Sequence, residues 1–454
     1  QTTITVTGNG AVVTLADIKT GLGISNTKTA LLHCGNTALL QDLGSGKWRL
    51  NANLFIGPNV TLNLDPQDGA TEVQLCSQPT VAASSARQVK VIQSDNAADV
   101  ASVAVAIDYL SFVYLRTHSG VINMDSVKVY SWDPTVNGFD QDINNGRAYV
   151  IAKYAATLNI HNSELSYLGS ADGESYGVSW RDTNDTLTPD VLRTRVTGEA
   201  INSNFHHNYY GIYTFQATTM NFIGNQFHDN VRYGFDPHDF THDVLVENNV
   251  AYNNGAHGFI ISRGCSNFTF RNNRAYNNVN PDPVDQAQGF MLDPGSPNAA
   301  SPQAPSTNNV LDNNVAYGNE GFGLRILGST DNQVLNNRLY QNQKGLVVDE
   351  KSTGNIIDSN VITKNLGYGL VTQESANANT ITQNTVSGNG DHGIYLHSNN
   401  NQISGNTATA NVGAGIAFYT SGLALTSNQV LSNTASGNGG AGIDIRNAVK
   451  TLIQ

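Results

Sequence analysis

The densest group of potentially reactive side chains in the sequence lies in the segment Tyr233-Gly-Phe-Asp-Pro-His-Asp239. On a β-strand, Asp236 and His238 are two residues apart, so both side chains project from the same face. A phenol, an imidazole and two carboxylates in one short segment suit proton transfer, because a carboxylate fixes the tautomer of a neighbouring histidine and raises its basicity. By itself, an Asp-x-His pair on a strand is weak evidence for catalysis.

Two further groups follow about one repeat unit later, at His257 and at Ser262-Arg263. If the chain returns to the same place after each unit, Arg263 lies beside His238, and His257 lies beside Tyr233. This combination suits abstraction of a proton next to a carboxylate. The arginine would neutralise the carboxylate of a uronic acid, so that the carbanion formed at C5 delocalises as an enolate. Removal of one such donor typically costs about 10²–10³ in rate.

The repeat that would position these side chains starts near residue 200 and combines asparagines, a glycine and an apolar alternation. Its intervals are 22 to 27 residues, apart from two longer ones of 31 and 34. Units of 22–24 residues without helical periodicity predict an all-β, right-handed parallel β-helix, in which the asparagines form amide ladders. Glycine would mark a bend that needs positive φ or close approach. The repeat glycines are Gly234, Gly258, Gly289, Gly323, Gly345, Gly369, Gly393, Gly415 and Gly442.

We predict one β-helix domain over residues 1–454. Residues 1–150 alternate without a fixed period and are interpreted as irregular N-terminal coils, whereas 151–454 form regular coils. A proline-rich stretch near 279–309 is a loop insertion on one side of the solenoid. The segment Leu15–Leu22 is a candidate helix that covers the open end of the sheets.

The strand after each repeat glycine alternates, and its first and third residues are nearly all apolar and should face the interior. We define the outward strip as the second and fourth residues after each glycine, together with the residue before it. Exposed aromatic and apolar residues recur there, which favours an extended polymer as ligand. Besides the motif residues, the candidate substrate-binding residues are Arg181, Tyr213, His257, Asp293, Arg325 and Lys344.

The composition excludes several classes of function. A net charge of −12 without a basic run argues against nucleic-acid binding, and no apolar run is long enough to span a bilayer. The start at Gln1 predicts a secreted or periplasmic monomer whose signal peptide has been removed, and Cys34–Cys76 is the favoured disulfide. The histidines occupy different phases of the repeat, so no metal site is predicted. No cofactor is expected to be required; calcium is possible but not indicated.

The segment from Tyr233 to Asp239 resembles the signature of mannuronan (alginate) C5-epimerases, which are right-handed β-helix enzymes. The segment His257-Gly-Phe-Ile-Ile-Ser-Arg263 is similar to the next block of the periplasmic bacterial and brown-algal branch. The resemblance covers most of residues 45–350, and the Asp-Pro-His block is its specific part. The insertion near 279–309 departs from the family pattern.

The resemblance implies that His238 is the base and that Arg263 neutralises the substrate carboxylate. Tyr233 or a water would serve the opposite face of the sugar ring, and Asp236 matches an active-site aspartate of the family. Independently of the resemblance, either Asp236 or Asp239 could fix the tautomer of the histidine, and Asp239 is also a candidate substrate-binding residue. The expected reaction is C5 epimerisation of D-mannuronate to L-guluronate residues in alginate.

Several alternatives stay open. A polysaccharide lyase forms the same C5 carbanion but then expels the C4 oxygen, and the substrate could be another β-1,4-linked polyuronate such as glucuronan. A glycosidase could use a pair chosen from Asp236, Asp239 and Asp293, although the Arg–His pairing would then be unexplained. A non-catalytic, tailspike-like or adhesive β-helix is the alternative from a different class.

Overall fold

The structure is a computed structural model. It describes residues 2–26, 38–77, 113–144, 146–171, 176–182, 195–281, 286–296, 303–418, 425–446 and 448–454, and the backbone alone of 90–92 and 102–107. The chain divides into two compact units, Gln1–Gln226 and Phe227–Gln454. The single domain expected from the sequence stays a prediction.

In the first unit, successive strands return to three sheets, and most pairs are parallel; Thr2–Thr7 with Ser102–Ile107 and Leu40–Gly44 with Lys47–Leu50 are among the antiparallel exceptions. The first sheet contains Thr2–Thr7, Asn53–Ile56, Lys90–Ile92, Ser102–Ile107, Tyr114–His118, Tyr149–Lys153, Gly177–Arg181 and Tyr210–Phe215. The second contains Val12–Val13, Thr61–Leu64, Val121–Asp125, Thr157–His161, Thr197–Ile201 and Thr218–Ile223. The third contains Leu40–Gly44, Lys47–Leu50, Glu72–Cys76, Lys128–Asp133, Gly138–Phe139, Glu164–Ser166 and Asn204–His206. The next strand is Gln226–His228.

The second unit repeats this three-strand coil regularly, as the parallel β-helix prediction requires. Its first sheet contains Phe235–His238, Phe259–Ser262, Phe290–Asp293, Phe322–Leu327, Lys344–Asp349, Leu370–Thr372, Ile394–Leu396, Ile416–Phe418 and Ile443–Ile445. The second contains His242–Glu247, Ser266–Arg271, Val310–Asp312, Gln333–Leu335, Ile356–Asp358, Thr380–Thr382, Gln402–Ser404, Gln429–Leu431 and Leu452–Ile453. The third contains Val250–Tyr252, Arg274–Tyr276, Val315–Tyr317, Arg338–Tyr340, Val361–Thr363, Thr385–Ser387, Thr407–Thr409 and Thr434–Ser436. Leu425–Thr426 and Ala448–Val449 form a separate parallel pair.

The predicted helix Leu15–Leu22 is present and is followed by a 3₁₀ turn, Gly23–Asn26. Its first turn is closed by a capping box, in which the Asp17 backbone N–H donates to the Thr14 hydroxyl and the Thr14 N–H donates to the Asp17 carboxylate. In the part of the chain that is described, no helix is long and apolar enough to cross a membrane. Cys76 is disulfide-bonded and Cys265 is a free, buried thiol. Cys34 lies outside the described residues.

The repeat glycines of the second unit are required by close approach between coils. A Cβ atom at Gly258 would lie 2.9 Å from the carbonyl oxygen of Gly289 and 3.1 Å from the Cβ of Ala275. These glycines do not adopt positive φ. Of the two explanations predicted from the sequence, steric exclusion of a side chain is therefore correct.

The predicted asparagine ladders are present in the second unit. Each buried Oδ1 accepts hydrogen bonds from both the backbone N–H and the side-chain amide of the asparagine one coil earlier. The first ladder joins Asn230, Asn254, Asn278, Asn319, Asn342, Asn365, Asn389, Asn411 and Asn438. The second joins Asn249, Asn273, Asn314, Asn337, Asn360, Asn384, Asn406 and Asn433.

A third ladder, not foreseen from the sequence, turns the chain at another corner of the coil. It joins Asn309, Asn332, Asn355, Asn379, Asn401 and Asn428. Two positions of the predicted repeat are also wrong by one residue: Asn254 and Asn278 belong to the first ladder, whereas Asn253 and Asn277 adopt positive φ at the turn before them.

We predict that Asn337→Ala destabilises the second unit. The change removes the acceptor of the buried Asn314 backbone N–H and one donor to the Leu311 carbonyl, and a buried group left unsatisfied costs about 1–3 kcal/mol. Urea unfolding followed by circular dichroism should give a lower midpoint. The control Gln333→Ala, at an exposed position on the neighbouring strand, should change stability by less than about 0.5 kcal/mol. Equal midpoints for the two variants would contradict a stabilising role for the ladder.

Candidate active site

The candidate site lies in the second unit, on three neighbouring strands of its first sheet. Phe235–His238 pairs in parallel with Phe259–Ser262, with Phe235 opposite Phe259, and that strand pairs with Phe290–Asp293. The three phenylalanines fill the interior, and Phe259 and Phe290 stack with their ring centroids 5.1 Å apart. This packing fixes the alternation, so that Asp236 and His238 are on the outward strip, as predicted.

His238 is held by a chain of charged groups. Its Nδ1 hydrogen-bonds to Oδ1 of Asp239, and Nη1 of Arg263 donates to the same oxygen at 3.1 Å. Because a carboxylate can only accept here, Nδ1 carries a hydrogen and Nε2 is the basic nitrogen of the neutral ring. Nη2 of Arg263 donates to the carbonyl oxygen of Ser296 at 2.8 Å.

The charges shift the pKa values of this chain in opposite directions. Burial lowers the pKa of His238, but the hydrogen bond to Asp239 and the charges of Asp236 and Asp239 outweigh burial and raise it above its ordinary value. Burial raises the pKa of Asp239, but His238 and Arg263 outweigh it and hold that pKa below its ordinary value. The pair therefore favours an ionised Asp239 beside a more basic His238.

Asp236 has a different environment, although it is only two residues away. It is 1% exposed, and its Oδ1 has no hydrogen-bond partner. Burial raises the pKa of Asp236 to about 6, against the attraction of His238 and Arg232. Burial also raises the pKa of Asp293, against the backbone N–H of Gly295 and nearby cations. The site thus places one ionised and two less acidic carboxyl groups around one imidazole.

On the next coil, His257 is a neutral hydrogen-bond donor. Its Nδ1 accepts a hydrogen bond from the backbone N–H of Gln288 at 3.0 Å, so Nε2 carries the ring hydrogen. Burial, together with Arg325 and Arg232, lowers the pKa of His257 to about 3. Its ring stacks on Tyr233 with centroids 5.3 Å apart. Nη2 of Arg232 donates to the Tyr233 hydroxyl oxygen at 3.3 Å.

Comparison with known proteins gives both the fold and the kind of site. A family model described as a right-handed beta helix region matches residues 144–296, and one described as periplasmic copper-binding protein (NosD) matches 297–439. A mannuronan C5-epimerase of Pseudomonas fluorescens is 31% identical over 164 residues, which are 36% of this chain and 31% of that protein. A mannuronan C5-epimerase of Pseudomonas putida is 25% identical over 240 residues, which are 51% of this chain and 43% of that protein.

The chain is similar to the mannuronan C5-epimerases, as its motif predicted. The matched segments span about a third to two fifths of the length of these relatives. The crystal structure of the periplasmic alginate epimerase AlgG superimposes with a TM-score of 0.66 at 18% identity, covering 98% of this chain and 85% of that one. The predicted right-handed parallel β-helix is therefore confirmed.

The structure brings most of the predicted site residues of the epimerase-like motif together. Three successive coils of the second unit carry them: Tyr233, Asp236, His238, Asp239, His257, Arg263 and Asp293. Their catalytic and binding roles stay predictions. Arg325 and Lys344 lie on the two following coils. Arg181 and Tyr213 belong to the first unit, where the Arg181 guanidinium lies 5.9 Å from the Tyr213 ring centroid.

The expectation that aromatic and apolar residues of the outward strip are exposed is wrong. Coils are only about 4.8 Å apart, so each outward side chain is covered by its neighbours on the adjacent coils. The buried ones include Tyr213, Phe215, Ile260, Met291 and Tyr395, whereas Tyr233, Phe322 and Tyr368 are half-buried.

Sequence reasoning missed three contributors, Arg232, Gln288 and Ser296. The last two belong to the insertion near 279–309, of which 282–285 and 297–302 lie outside the described residues. Gln288 fixes the tautomer of His257, and Ser296 anchors Arg263, in both cases through backbone atoms that carry no sequence signal. Within the described residues, no group of three or more His, Cys, Asp or Glu is arranged to hold a metal ion.

We predict that Asp239→Asn lowers the pKa of His238. The substitution removes both the negative charge and the charge-assisted hydrogen bond that raise this pKa, and burial then dominates. The measurement is an NMR titration of the histidine ring protons. The control is Asp243→Asn, which removes the carboxylate partner of His242 outside the site and should leave the His238 titration unchanged. An unchanged His238 titration in Asp239→Asn would contradict the electrostatic role of Asp239.

Proposed function

We propose that this chain catalyses C5 epimerisation of D-mannuronate to L-guluronate residues in alginate, a β-1,4-linked polyuronate. The observation that carries the proposal is the chain Arg263–Asp239–His238, which makes an imidazole unusually basic. It is supported by the resemblance of the segment from Tyr233 to Asp239 to the signature of mannuronan C5-epimerases, and by the similarity of this chain to several of them.

In the proposed reaction, Nε2 of His238 removes the proton from C5, and the electron pair delocalises into the adjacent carboxylate. Asp239 stays ionised, orients the ring and stabilises the imidazolium that forms. Arg263 already donates hydrogen bonds to Asp239 and to Ser296. We therefore propose that it neutralises the substrate carboxylate together with the less acidic groups beside it. Asp236, whose pKa is raised to about 6, is ionised where His238 is neutral, and its charge adds to the basicity of His238.

Reprotonation from the opposite face completes the reaction, since one proton leaves C5 and one returns. Tyr233 is the proposed donor, directly or through a water. Its oxygen already accepts from Arg232, so its own hydrogen is directed elsewhere, and the ring is fixed by stacking on His257. No observation favours expulsion of the C4 oxygen, so a lyase is the outcome that the experiment below must exclude.

We expect incubation with polymannuronate in D₂O to place deuterium at C5 of newly formed guluronate without generating unsaturated chain ends. NMR of the product and ultraviolet absorbance measure the two outcomes. The rate of the variant His238→Gln should be lower by a factor of about 10²–10⁴, because general-base catalysis contributes a factor of that size. Its matched control is His242→Gln, which removes a similar His–Asp pair outside the site. Unsaturated ends without deuterium incorporation would establish a lyase instead.

The pH dependence follows from the sign of the His238 shift. The base must be neutral to accept the C5 proton, so kcat/KM should fall as pH drops through its pKa, which lies above the ordinary value of about 6.5. Asp239→Asn should move this acidic limb to lower pH while reducing the plateau. A limb that stays in place in this variant would mean that another group controls the profile.

We further infer that the protein works outside the cytoplasm, in the periplasm or beyond, as a monomer. The disulfide-bonded Cys76 supports this location, because structural disulfides persist in oxidising compartments. The proposed partner is the anionic polysaccharide itself. No cofactor is proposed to take part, and calcium stays a possibility without a specific site.

A further inference from the structure

Lys344 is a half-buried cation on the outward strip, beyond the candidate active site. Its strand, Lys344–Asp349, pairs with Phe322–Leu327, and Phe322 is opposite Lys344. Nζ lies 4.9 Å from the Phe322 ring centroid and 5.7 Å from that of Tyr368. Burial lowers the pKa of Lys344, and the charge of Arg325 lowers it further against that of Asp349.

The charges around this ammonium group do not balance. Asp349 is already hydrogen-bonded to Nη2 of Arg325 at 2.6 Å, while Nε of Arg325 is buried without an acceptor. Within the described residues, no carboxylate forms an ion pair with Nζ of Lys344. Lys344 and Arg325 share the Asp349 carboxylate, and burial raises the pKa of Asp293, the second carboxyl group near Arg325, so positive charge is locally in excess in a protein whose net charge is −12.

Beside these cations, the strip has an apolar floor. Val347, Val371, Tyr395, Ala414 and Ala417 form a buried cluster, and Phe322 and Tyr368 pack against it. Aromatic rings and aliphatic groups suit the C–H face of a pyranose, and the adjoining cations suit its carboxylate. A neutral sugar would leave the excess charge unmatched.

We propose that Lys344 and Arg325, with Phe322 and Tyr368, form a remote subsite for the carboxylate of a uronate unit in the bound polymer. This inference rests on the proposed function. Four coil steps of about 4.8 Å separate the strand of His238 from that of Lys344, or about 19 Å. Because a 1,4-linked pyranose unit advances by about one coil step, the subsite holds a unit about four removed from the reacting one.

The competing explanation is that Lys344 only stabilises the coil by stacking on Phe322 and Tyr368. The two explanations differ in how the cation affects substrates of different length. A subsite contributes only when the oligomer is long enough to reach it, and it contributes to binding rather than to proton transfer. A structural lysine affects all substrates equally through the amount of folded protein.

The test compares Lys344→Met with wild type on mannuronate oligomers of increasing length. For oligomers that span both sites, we expect KM to rise about tenfold with kcat unchanged. A tenfold loss of affinity is the size expected for one lost charge-assisted contact. For oligomers too short to reach the subsite, KM should not change, and Lys344→Arg should restore most of the affinity. The control Lys351→Met alters an exposed lysine on the turn after the same strand. A KM increase independent of length, or none at all, would overturn the proposal.

Calorimetry tests binding at the Lys344 subsite independently of whether the protein catalyses epimerisation. In the His238→Gln background, mannuronate oligomers are titrated against proteins with and without Lys344→Met. Length-dependent loss of binding supports the subsite even if no epimerisation is found. If neutral β-1,4-linked glucose oligomers bind as tightly as mannuronate oligomers, or lose as much affinity on Lys344→Met, the carboxylate subsite is contradicted while epimerisation is untouched.

Discussion

The second unit depends on the short, fixed distance between successive coils. Asparagine side chains repeat their hydrogen bonds across this distance, and the repeat glycines allow the backbone of the next coil to approach. Both features set the same spacing, one by attraction and the other by the absence of a Cβ atom. Every outward side chain is consequently held between two neighbours, and this confinement makes a dry, charged site possible on the outside of a solenoid.

Within that frame, the site separates two histidines by their electrostatic surroundings. His238 faces Asp239 and Asp236 and is made more basic, whereas His257 is buried near Arg232 and Arg325 and stays neutral. Their ring hydrogens are also fixed on different nitrogens, because the partner of one is a carboxylate and that of the other is a backbone N–H. One ring is suited to remove a proton and the other to donate a hydrogen bond.

Periodicity alone predicted the coil, the asparagine ladders and the cluster around His238, since a repeat places residues one unit apart side by side. It failed wherever contacts came from outside the repeat. Ser296 and Gln288 act through backbone atoms of an irregular insertion, and their residue types give no hint of this role. The predicted exposure of the outward strip was wrong because the alternation gives the direction of a side chain but not how far the neighbouring coils bury it.

The insertion also contributes to how the site is held together. Arg263 receives its second contact from Ser296, which lies more than one coil later in the chain and on an irregular loop. A Cβ atom at Gly295 would meet the guanidinium at 2.5 Å, so this loop fits closely against it. The guanidinium that holds Asp239 beside His238 is therefore itself held by a loop outside the regular strands. A change in this loop would consequently alter the site without changing any residue of the strands that carry its reactive side chains.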